Sequence, residues 1–225
     1  RGDMGVEIDA AILPFIQKKL IEKCSVAGKP VITATQMLDS MIRNPRPTRA
    51  EVSDVANAIY DGTDAIMLSG ESAMGKYPLE ALKMMVKIAK ETEIHLDHTQ
   101  YRNRKVNKMD KKNISNQVGF AAVSTADQLE AKAIIAPSIS GFTTRMLSKW
   151  RSSIPVYGMS PSISTVRQMQ LLYGVVPVWA KRADTTDELI SSSVEILKSG
   201  KYIKENDLVV ITAGIIPDKI ERGPA

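Results

Sequence analysis

The stretch AIIAPSISGFTTRMLSKW, residues 133–150, predicts a strand, a loop of small polar residues and a helix in direct succession. The strand is predicted over Ala133–Pro137, because a short uninterrupted apolar run is typical of a strand in a parallel sheet. The helix is predicted over Thr143–Trp150. A strand followed at once by a helix is the repeating unit of parallel α/β folds, so this stretch sets the expected fold class.

The same alternation continues on both sides of that stretch. The other elements predicted in this half are helix Asn116–Leu129, strand Val156–Met159, helix Ile163–Tyr173, strand Val175–Trp179, helix Asp187–Lys198 after a Thr185–Glu188 capping box, and strand Leu208–Thr212. Four parallel strands with interleaved helices predict a doubly wound α/β domain.

The N-terminal half carries a shorter version of the alternation. Its predicted elements are helix Ile12–Ala27 ended by Gly28, strand Val31–Thr35, a helix from the Thr48–Glu51 capping box to about Tyr60, strand Ala65–Leu68 covered on both faces, and a helix from Pro78 to about His95. Two parallel strands cannot form a stable covered sheet alone, so this half is predicted to be the end of a larger barrel or sheet. We therefore expect Arg1 to be a cut end.

Composition limits the class of protein. The chain has 225 residues, 44% of them hydrophobic, and no apolar run approaches the ~20 residues that span a bilayer. A single cysteine, Cys24, excludes an internal disulfide, and two histidines make a zinc site a poor expectation. These features predict a cytoplasmic protein with no membrane partner, which argues against reading Arg1-Gly2-Asp3 as an extracellular adhesion motif.

A basic run separates the two halves. The formal net charge is +5, and much of the excess lies in Arg102, Arg104, Lys105, Lys108, Lys111 and Lys112. Such a run is typical of a solvated linker, here residues 99–115, although it could also attract a polyanion. Tyr101 is its only aromatic residue, so it offers no stacking platform, and we predict no nucleic-acid partner.

Ligands of parallel α/β folds bind where strands reach their carboxyl ends, and three such places lie in the first half. Asp3, after Gly2, could supply one carboxylate to a hard divalent cation, or could be a turn or helix-capping residue. Thr35 could offer its hydroxyl to a ligand or pack its methyl group in the strand. Ser69-Gly70-Glu71 is more simply a turn between strand and helix than a ligand loop.

In the second half, the loop after Ala133–Pro137 combines several hydroxyl groups with a glycine at a helix N-terminus. Free N–H groups and the helix dipole favour an anion there, and hydroxyls add donors. The alternative is a helix N-cap with spare serines. The Gly-Lys-[Ser/Thr] ending of a Walker A loop is missing. Ser160 and Gly214 end neighbouring strands.

Four long stretches of the first half resemble pyruvate kinase: residues 1–7, 28–38, 44–58 and 61–71. The resemblance continues through the serine-rich loop and residues 207–214 of the second half. It implies the last βα units of a TIM-type (β/α)8 barrel over residues 1–98, the basic linker, and an effector-binding α/β domain over 116–225. Residues 215–225 show no convincing match to the family's closing strand.

The resemblance also implies a reaction and the residues that serve it. Pyruvate kinases transfer the phosphoryl group of phosphoenolpyruvate to ADP, giving pyruvate and ATP, with Mg²⁺ (or Mn²⁺) and K⁺. Asp3 matches the family's metal ligand, and Gly2, Asp3 and Thr35 match its substrate-binding and catalytic positions. The family's catalytic lysine, second magnesium-binding glutamate, potassium ligands and lid correspond to sequence before Arg1, so the chain alone is predicted to be inactive.

Regulation and assembly follow from the same resemblance. The residues that match the family's effector phosphate loop are Ser138, Ser140, Gly141, Phe142 and Thr143. Ile139 and Phe142 replace basic residues often found where fructose 1,6-bisphosphate binds, which argues against that effector and leaves a sugar monophosphate or a nucleotide monophosphate open. Arg49 matches a subunit contact, so a homotetrameric parent is expected. The alternatives are a stand-alone sugar-phosphate or nucleotide-binding module, and a nucleic-acid binder using residues 102–112.

Overall fold

The computed structural model describes residues 1–214 and divides the chain into two compact units, Arg1–Asp97 and His98–Ala225. The expectation about a closing strand in residues 215–225 lies outside the described residues. Within the described part of the chain, no helix is both long and apolar enough to cross a membrane.

The first unit is built mainly from helices. Its elements are α1 Gly2–Glu7, α2 Leu13–Ala27, β1 Ile32–Thr33, a 3₁₀ turn Asp39–Ile42, α3 Arg49–Asp61, β2 Ala65–Ile66, α4 Gly70–Ala73 and α5 Pro78–Ile94. The predicted helix ends are confirmed: Gly28 adopts a left-handed φ of 67° after α2, and the Thr48–Glu51 capping box starts α3. Pro78 occupies the first turn of α5, where its missing N–H costs nothing.

Both strands of this unit are shorter and more exposed than predicted. β1 and β2 pair in parallel, Ile32 with Ala65 and Thr33 with Ile66. Ile32 is 46% exposed and β2 is half-buried, so the prediction that β2 is covered on both faces is wrong for this structure. The apolar contacts instead gather between α3, α5 and the segment after β1, in a core that includes Met37, Val55 and Met85.

The second unit is a parallel sheet wrapped by helices. Its elements are α6 His98–Val106, α7 Ile114–Gln128, β3 Ala133–Pro137, α8 Phe142–Ser148, β4 Val156–Ser160, α9 Ile163–Met169, β5 Val175–Trp179, α10 Thr186–Ser199 and β6 Val209–Ile211. The described strands run in the order β5-β4-β3-β6, every neighbouring pair parallel. β3 and β4 are buried along their whole length, as central strands of a doubly wound sheet are. The predicted α/β fold class is confirmed.

In the second unit, α9 and the basic segment differ most from the sequence prediction. α9 ends at Met169 rather than Tyr173, because the chain turns there and reaches β5 through Gly174 at a left-handed φ of 66°. The basic segment begins as α6, and two of its cations are buried: Arg102 pairs with Asp127 at 2.5 Å, and the Lys105 Nζ donates to the Lys149 carbonyl. Arg104, Lys108, Lys111 and Lys112 are exposed. The domain boundaries proposed from the sequence remain predictions.

Candidate functional site

The turn after β1 has the most strained backbone of the first unit. Thr35 and Gln36 both lie in the left-handed region, with φ of 75° and 55°. That conformation is rare for any side chain and rarer for a β-branched one, and each such residue costs about 1–3 kcal/mol. Two in succession persist only when surrounding contacts determine the backbone, so this turn is a candidate site on conformational grounds.

Arg1 supplies part of that constraint. Its Nε donates to the carbonyl oxygens of Ala34 and Thr35, both at 3.1 Å, and its Nη2 donates to the Thr35 carbonyl at 2.5 Å. Its Nη1 pairs with the Asp54 carboxylate on α3 at 2.5 Å. The guanidinium therefore ties the strained turn to α3. The sequence prediction gave Arg1 no role, since its contacts lie more than thirty positions along the chain.

The structure brings two of the predicted site residues together. A Cβ placed on Gly2 would lie 3.3 Å from the Thr35 Cγ2, so the backbone of Gly2 lies close against the threonine side chain. Gly2 and Asp3 start helix α1 instead of ending a strand, because the Gly5 N–H already bonds the Arg1 carbonyl. The N–H groups of a first turn have no intrahelical acceptor and can bind an anion.

Asp3 suits a magnesium ion as one ligand, not as a complete protein site. Its side chain is exposed in the first turn of α1. The residues that the structure describes contain no cluster of three or more histidine, cysteine, aspartate or glutamate side chains that could enclose a metal. Mg²⁺ commonly takes only one or two carboxylates and completes its shell with water and phosphate oxygens, which a lone exposed carboxylate allows.

Ser69-Gly70-Glu71, predicted to be a turn, forms the start of helix α4. Glu71 is buried, and its carboxylate accepts the Leu38 N–H at 3.0 Å and the Ser69 N–H at 2.7 Å. The glutamate thus joins the segment after β2 to the segment after β1. Sequence reasoning missed this role, and no local pattern signals it.

Glu51 connects the capping box of α3 to the 3₁₀ turn. Its Oε1 accepts the Ser40 N–H at 2.7 Å, and its Oε2 accepts the Ser40 hydroxyl at 2.6 Å and the Thr48 N–H at 2.7 Å. Burial acts to raise the pKa of Glu51, but the hydrogen bonds from Ser40 and Thr48 outweigh it, so the pKa lies below its ordinary value of 4.5. The charged carboxylate is therefore favoured in the folded state.

This lowered pKa predicts a pH-dependent contribution to stability. A carboxyl group with a depressed folded-state pKa stabilises the fold above its unfolded pKa, and that stabilisation is lost as pH falls through the folded pKa. We expect the gap in free energy of unfolding between the wild type and Glu51→Gln to be largest at neutral pH and to shrink below 4.5. Urea titrations followed by circular dichroism at several pH values measure that gap. A gap that stays constant with pH would contradict the prediction.

Arg49, the predicted subunit contact, lies in the first turn of α3 with an exposed side chain. Neither its exposure nor its neighbours test an interface between subunits. Its role in assembly therefore remains a prediction.

In the second unit, hydrogen bonds to residues of β4 and α9 hold the loop between β3 and α8. The Ser138 N–H bonds the Met159 carbonyl at 2.8 Å, and the Ile139 carbonyl accepts the hydroxyls of Ser160 at 3.0 Å and Thr165 at 3.1 Å. Ser160 is fully buried. The Ser160 hydroxyl therefore supports this loop from inside the fold.

The outer part of this loop remains open to solvent. Gly141 has a left-handed φ of 73°, and a Cβ there would lie 3.2 Å from both the Met169 Cγ and the Thr165 Cγ2. Ser140 and Phe142 are exposed, and the Arg145 guanidinium lies 5.5 Å from the Phe142 ring centroid. Glycine is thus required for the turn, and the hydroxyls and a nearby cation are available to an anion. The effector role of residues 138 and 140–143 remains a prediction.

Comparison with known proteins gives consistent results over both units. Residues 1–82 match the family model described as pyruvate kinase, barrel domain, and residues 116–221 match pyruvate kinase, alpha/beta domain. The chain is 51% identical over 216 residues to pyruvate kinase from Clostridium acetobutylicum, covering 96% of this chain and 45% of that protein. It is 49% identical over 215 residues to the enzyme from Geobacillus stearothermophilus, covering 96% of this chain and 36% of that protein.

A solved structure agrees with the sequence comparison. The crystal structure of a pyruvate kinase from Cryptosporidium parvum superimposes with a TM-score of 0.89 at 35% identity, covering 95% of this chain and 43% of that one. The chain therefore spans less than half the length of these relatives.

Proposed function

Since this chain belongs to the pyruvate kinase family, we propose that the natural protein containing it transfers a phosphoryl group from phosphoenolpyruvate to ADP, giving pyruvate and ATP. The observation that carries the proposal is the turn after β1, where a strained Thr35 packs against Gly2 at the start of α1. The resemblance implies substrate contacts at these same residues, and the close approach of Gly2 to Thr35 supports that proposal. A cytoplasmic location, as for a glycolytic enzyme, is part of the proposal.

The residues of this chain would hold and orient the substrate in that reaction. The backbone N–H groups of Gly2 and Asp3 lack intrahelical acceptors and would donate to the substrate carboxylate. The Thr35 hydroxyl, carried on a left-handed backbone, would contact the enolate end of the substrate. Positioning of this kind accounts for much of phosphoryl-transfer catalysis, because the protein has little covalent chemistry to perform.

Asp3 would hold the divalent cation. Mg²⁺, or Mn²⁺, when bound would neutralise the charge that develops on the transferred phosphoryl group. The exposed Asp3 carboxylate would leave the remaining coordination positions to substrate oxygens and water. A requirement for K⁺ and assembly into a homotetramer through the face carrying Arg49 are proposed from the family resemblance alone.

An assay of pyruvate formation tests this function. The natural protein that contains this sequence should form pyruvate from phosphoenolpyruvate and ADP only when Mg²⁺ is present. The 225-residue chain alone should be inactive, because the family's catalytic lysine does not match any of its residues. A natural protein that remains silent with both substrates and both cations would overturn the proposal and favour a binding module without catalysis.

We further propose that residues 138 and 140–143 bind the phosphate of a regulatory sugar or nucleotide monophosphate. Exposed hydroxyls, the glycine turn and Arg145 support an anion site, whereas Ile139 and Phe142 offer no charge to a second phosphate. Under this proposal, glucose 6-phosphate or AMP should bind more tightly than fructose 1,6-bisphosphate.

The Thr143→Val variant tests the contribution of one hydroxyl in that loop. A hydrogen bond to a charged group contributes roughly 1.5–3 kcal/mol, so we expect affinity for the better monophosphate to fall roughly tenfold or more. Isothermal titration calorimetry on the 225-residue chain measures it. Thr125→Val, the same change at an exposed position of α7, is the matched control and should bind as the wild type does. Equal affinity in the Thr143 variant would argue against the loop as the site.

A further inference from the structure

Glu71 is a buried carboxylate that the proposed reaction does not use. Only 1% of the residue is exposed, and it accepts one backbone N–H on each oxygen, from Leu38 and from Ser69. Burying a charged group is costly unless it is fully hydrogen-bonded, so an apolar side chain would fill this place more cheaply if packing were its only purpose. The two bonds indicate that the group serves to hold the backbone.

The hydrogen bond from the Leu38 N–H to Glu71 lies at the C-terminal end of the strained turn. The segment Thr35–Leu38 begins with two left-handed residues and ends with Met37 and Leu38, both completely buried. At its start the Arg1 guanidinium binds the Thr35 carbonyl, and at its end the Glu71 carboxylate binds the Leu38 N–H. Charged side chains thus fix the turn on both sides of the residue that the proposed reaction uses.

The other carboxylate oxygen of Glu71 binds Ser69, in the segment after β2. Ser69 lies three positions after the end of β2, and its N–H donates to the Glu71 Oε2 at 2.7 Å. A second link joins the same two segments, because the Lys76 N–H bonds the Ile42 carbonyl at 2.9 Å. Glu71 therefore holds the strained turn against a segment that has a backbone bond of its own to the 3₁₀ turn, as a positioning contact needs.

We propose that Glu71 is a positioning residue that keeps the Thr35 hydroxyl in its reactive orientation by anchoring the Leu38 end of the turn. The inference rests on the proposed function. A carboxylate is required because both of its oxygens face donors. In Glu71→Gln the amide has the same shape but only one acceptor, so its NH₂ group must face either the Leu38 or the Ser69 N–H.

A double-mutant cycle in the natural protein that contains this sequence separates positioning from simple structural support. The variants are Glu71→Gln, Thr35→Ala and their combination, and the readout is kcat/KM for phosphoenolpyruvate. Small displacements of a catalytic group can cost up to about 100-fold, so we expect Glu71→Gln alone to lower kcat/KM by about 10- to 100-fold. In the Thr35→Ala background the same change should cost about twofold or less, because the hydroxyl that Glu71 positions is gone.

Glu51→Gln is the matched control, since Glu51 is the other glutamate that holds this part of the chain but bonds only to Ser40 and Thr48. Its effect should be the same, within about twofold, with and without Thr35. If Glu71→Gln lowers kcat/KM equally in both backgrounds, the positioning role is wrong. Should Glu71→Gln fail to fold, Glu71→Asp, which keeps the charge but shortens the reach, enters the same cycle. A wild-type protein with no pyruvate kinase activity would overturn the proposed function and this inference with it.

Discussion

Under the proposed function, Asp3→Asn is expected to lower phosphoenolpyruvate turnover by the natural protein at least about 100-fold, because the proposed metal ligand would lose its negative charge and keep its shape. Charge stabilisation by a catalytic metal contributes several kcal/mol, and each 1.36 kcal/mol corresponds to about a tenfold change in rate. Asparagine can still offer one oxygen, so part of the activity should return at high Mg²⁺ concentration. Steady-state assays over a range of Mg²⁺ concentrations measure both effects.

Asp9→Asn provides the control for that experiment. Asp9 is also exposed, follows α1, and accepts only the nearby Ala11 N–H. Its replacement changes the net charge equally and should leave turnover and the Mg²⁺ dependence close to those of the wild type. If Asp3→Asn leaves turnover and the Mg²⁺ dependence as Asp9→Asn does, Asp3 does not hold the metal. The metal site implied by the resemblance is then wrong.

Gly158→Ala should destabilise the second unit by about 1–3 kcal/mol, because the added methyl group has no space. Gly158 lies in the middle of β4, paired with Ala136 and Pro177. A Cβ there would lie 2.6 Å from the Thr144 Cγ2 and 2.9 Å from the Met169 Sδ. Thr144 cannot easily move, since it is completely buried and its hydroxyl donates to the Ala136 carbonyl.

The two tryptophans make this prediction simple to measure. Trp150 and Trp179 both lie in the second unit, so tryptophan fluorescence during urea unfolding reports on that unit alone. Gly214→Ala is the matched control, because a Cβ at Gly214 meets no atom within 4 Å. It should leave the unfolding midpoint nearly unchanged. An unchanged midpoint for Gly158→Ala would mean that α8 and α9 can move away from the sheet more easily than their burial indicates.

Elements of the fold with local signals could be predicted from the sequence. The strands Ala133–Pro137 and Val175–Trp179 were predicted with their observed bounds, because short uninterrupted apolar runs indicate strands of a parallel sheet. The Thr48–Glu51 capping box and the glycine after α2 were also read correctly, since each depends on residues within four positions of one another. The covered β2 strand was predicted wrongly, because coverage depends on which other elements pack on it.

For the candidate site, the sequence by itself indicated the family. Through the matched stretches it also indicated which residues to expect at the site, namely Gly2, Asp3 and Thr35. Only the tertiary structure decided that Thr35 and Gln36 adopt left-handed backbone angles, that Arg1 binds the Thr35 carbonyl, and that Glu71 binds the Leu38 N–H. The physical reason is distance along the chain. Helix caps and strand patterns act between neighbours, whereas each of these contacts joins residues more than thirty positions apart and forms only when the unit packs.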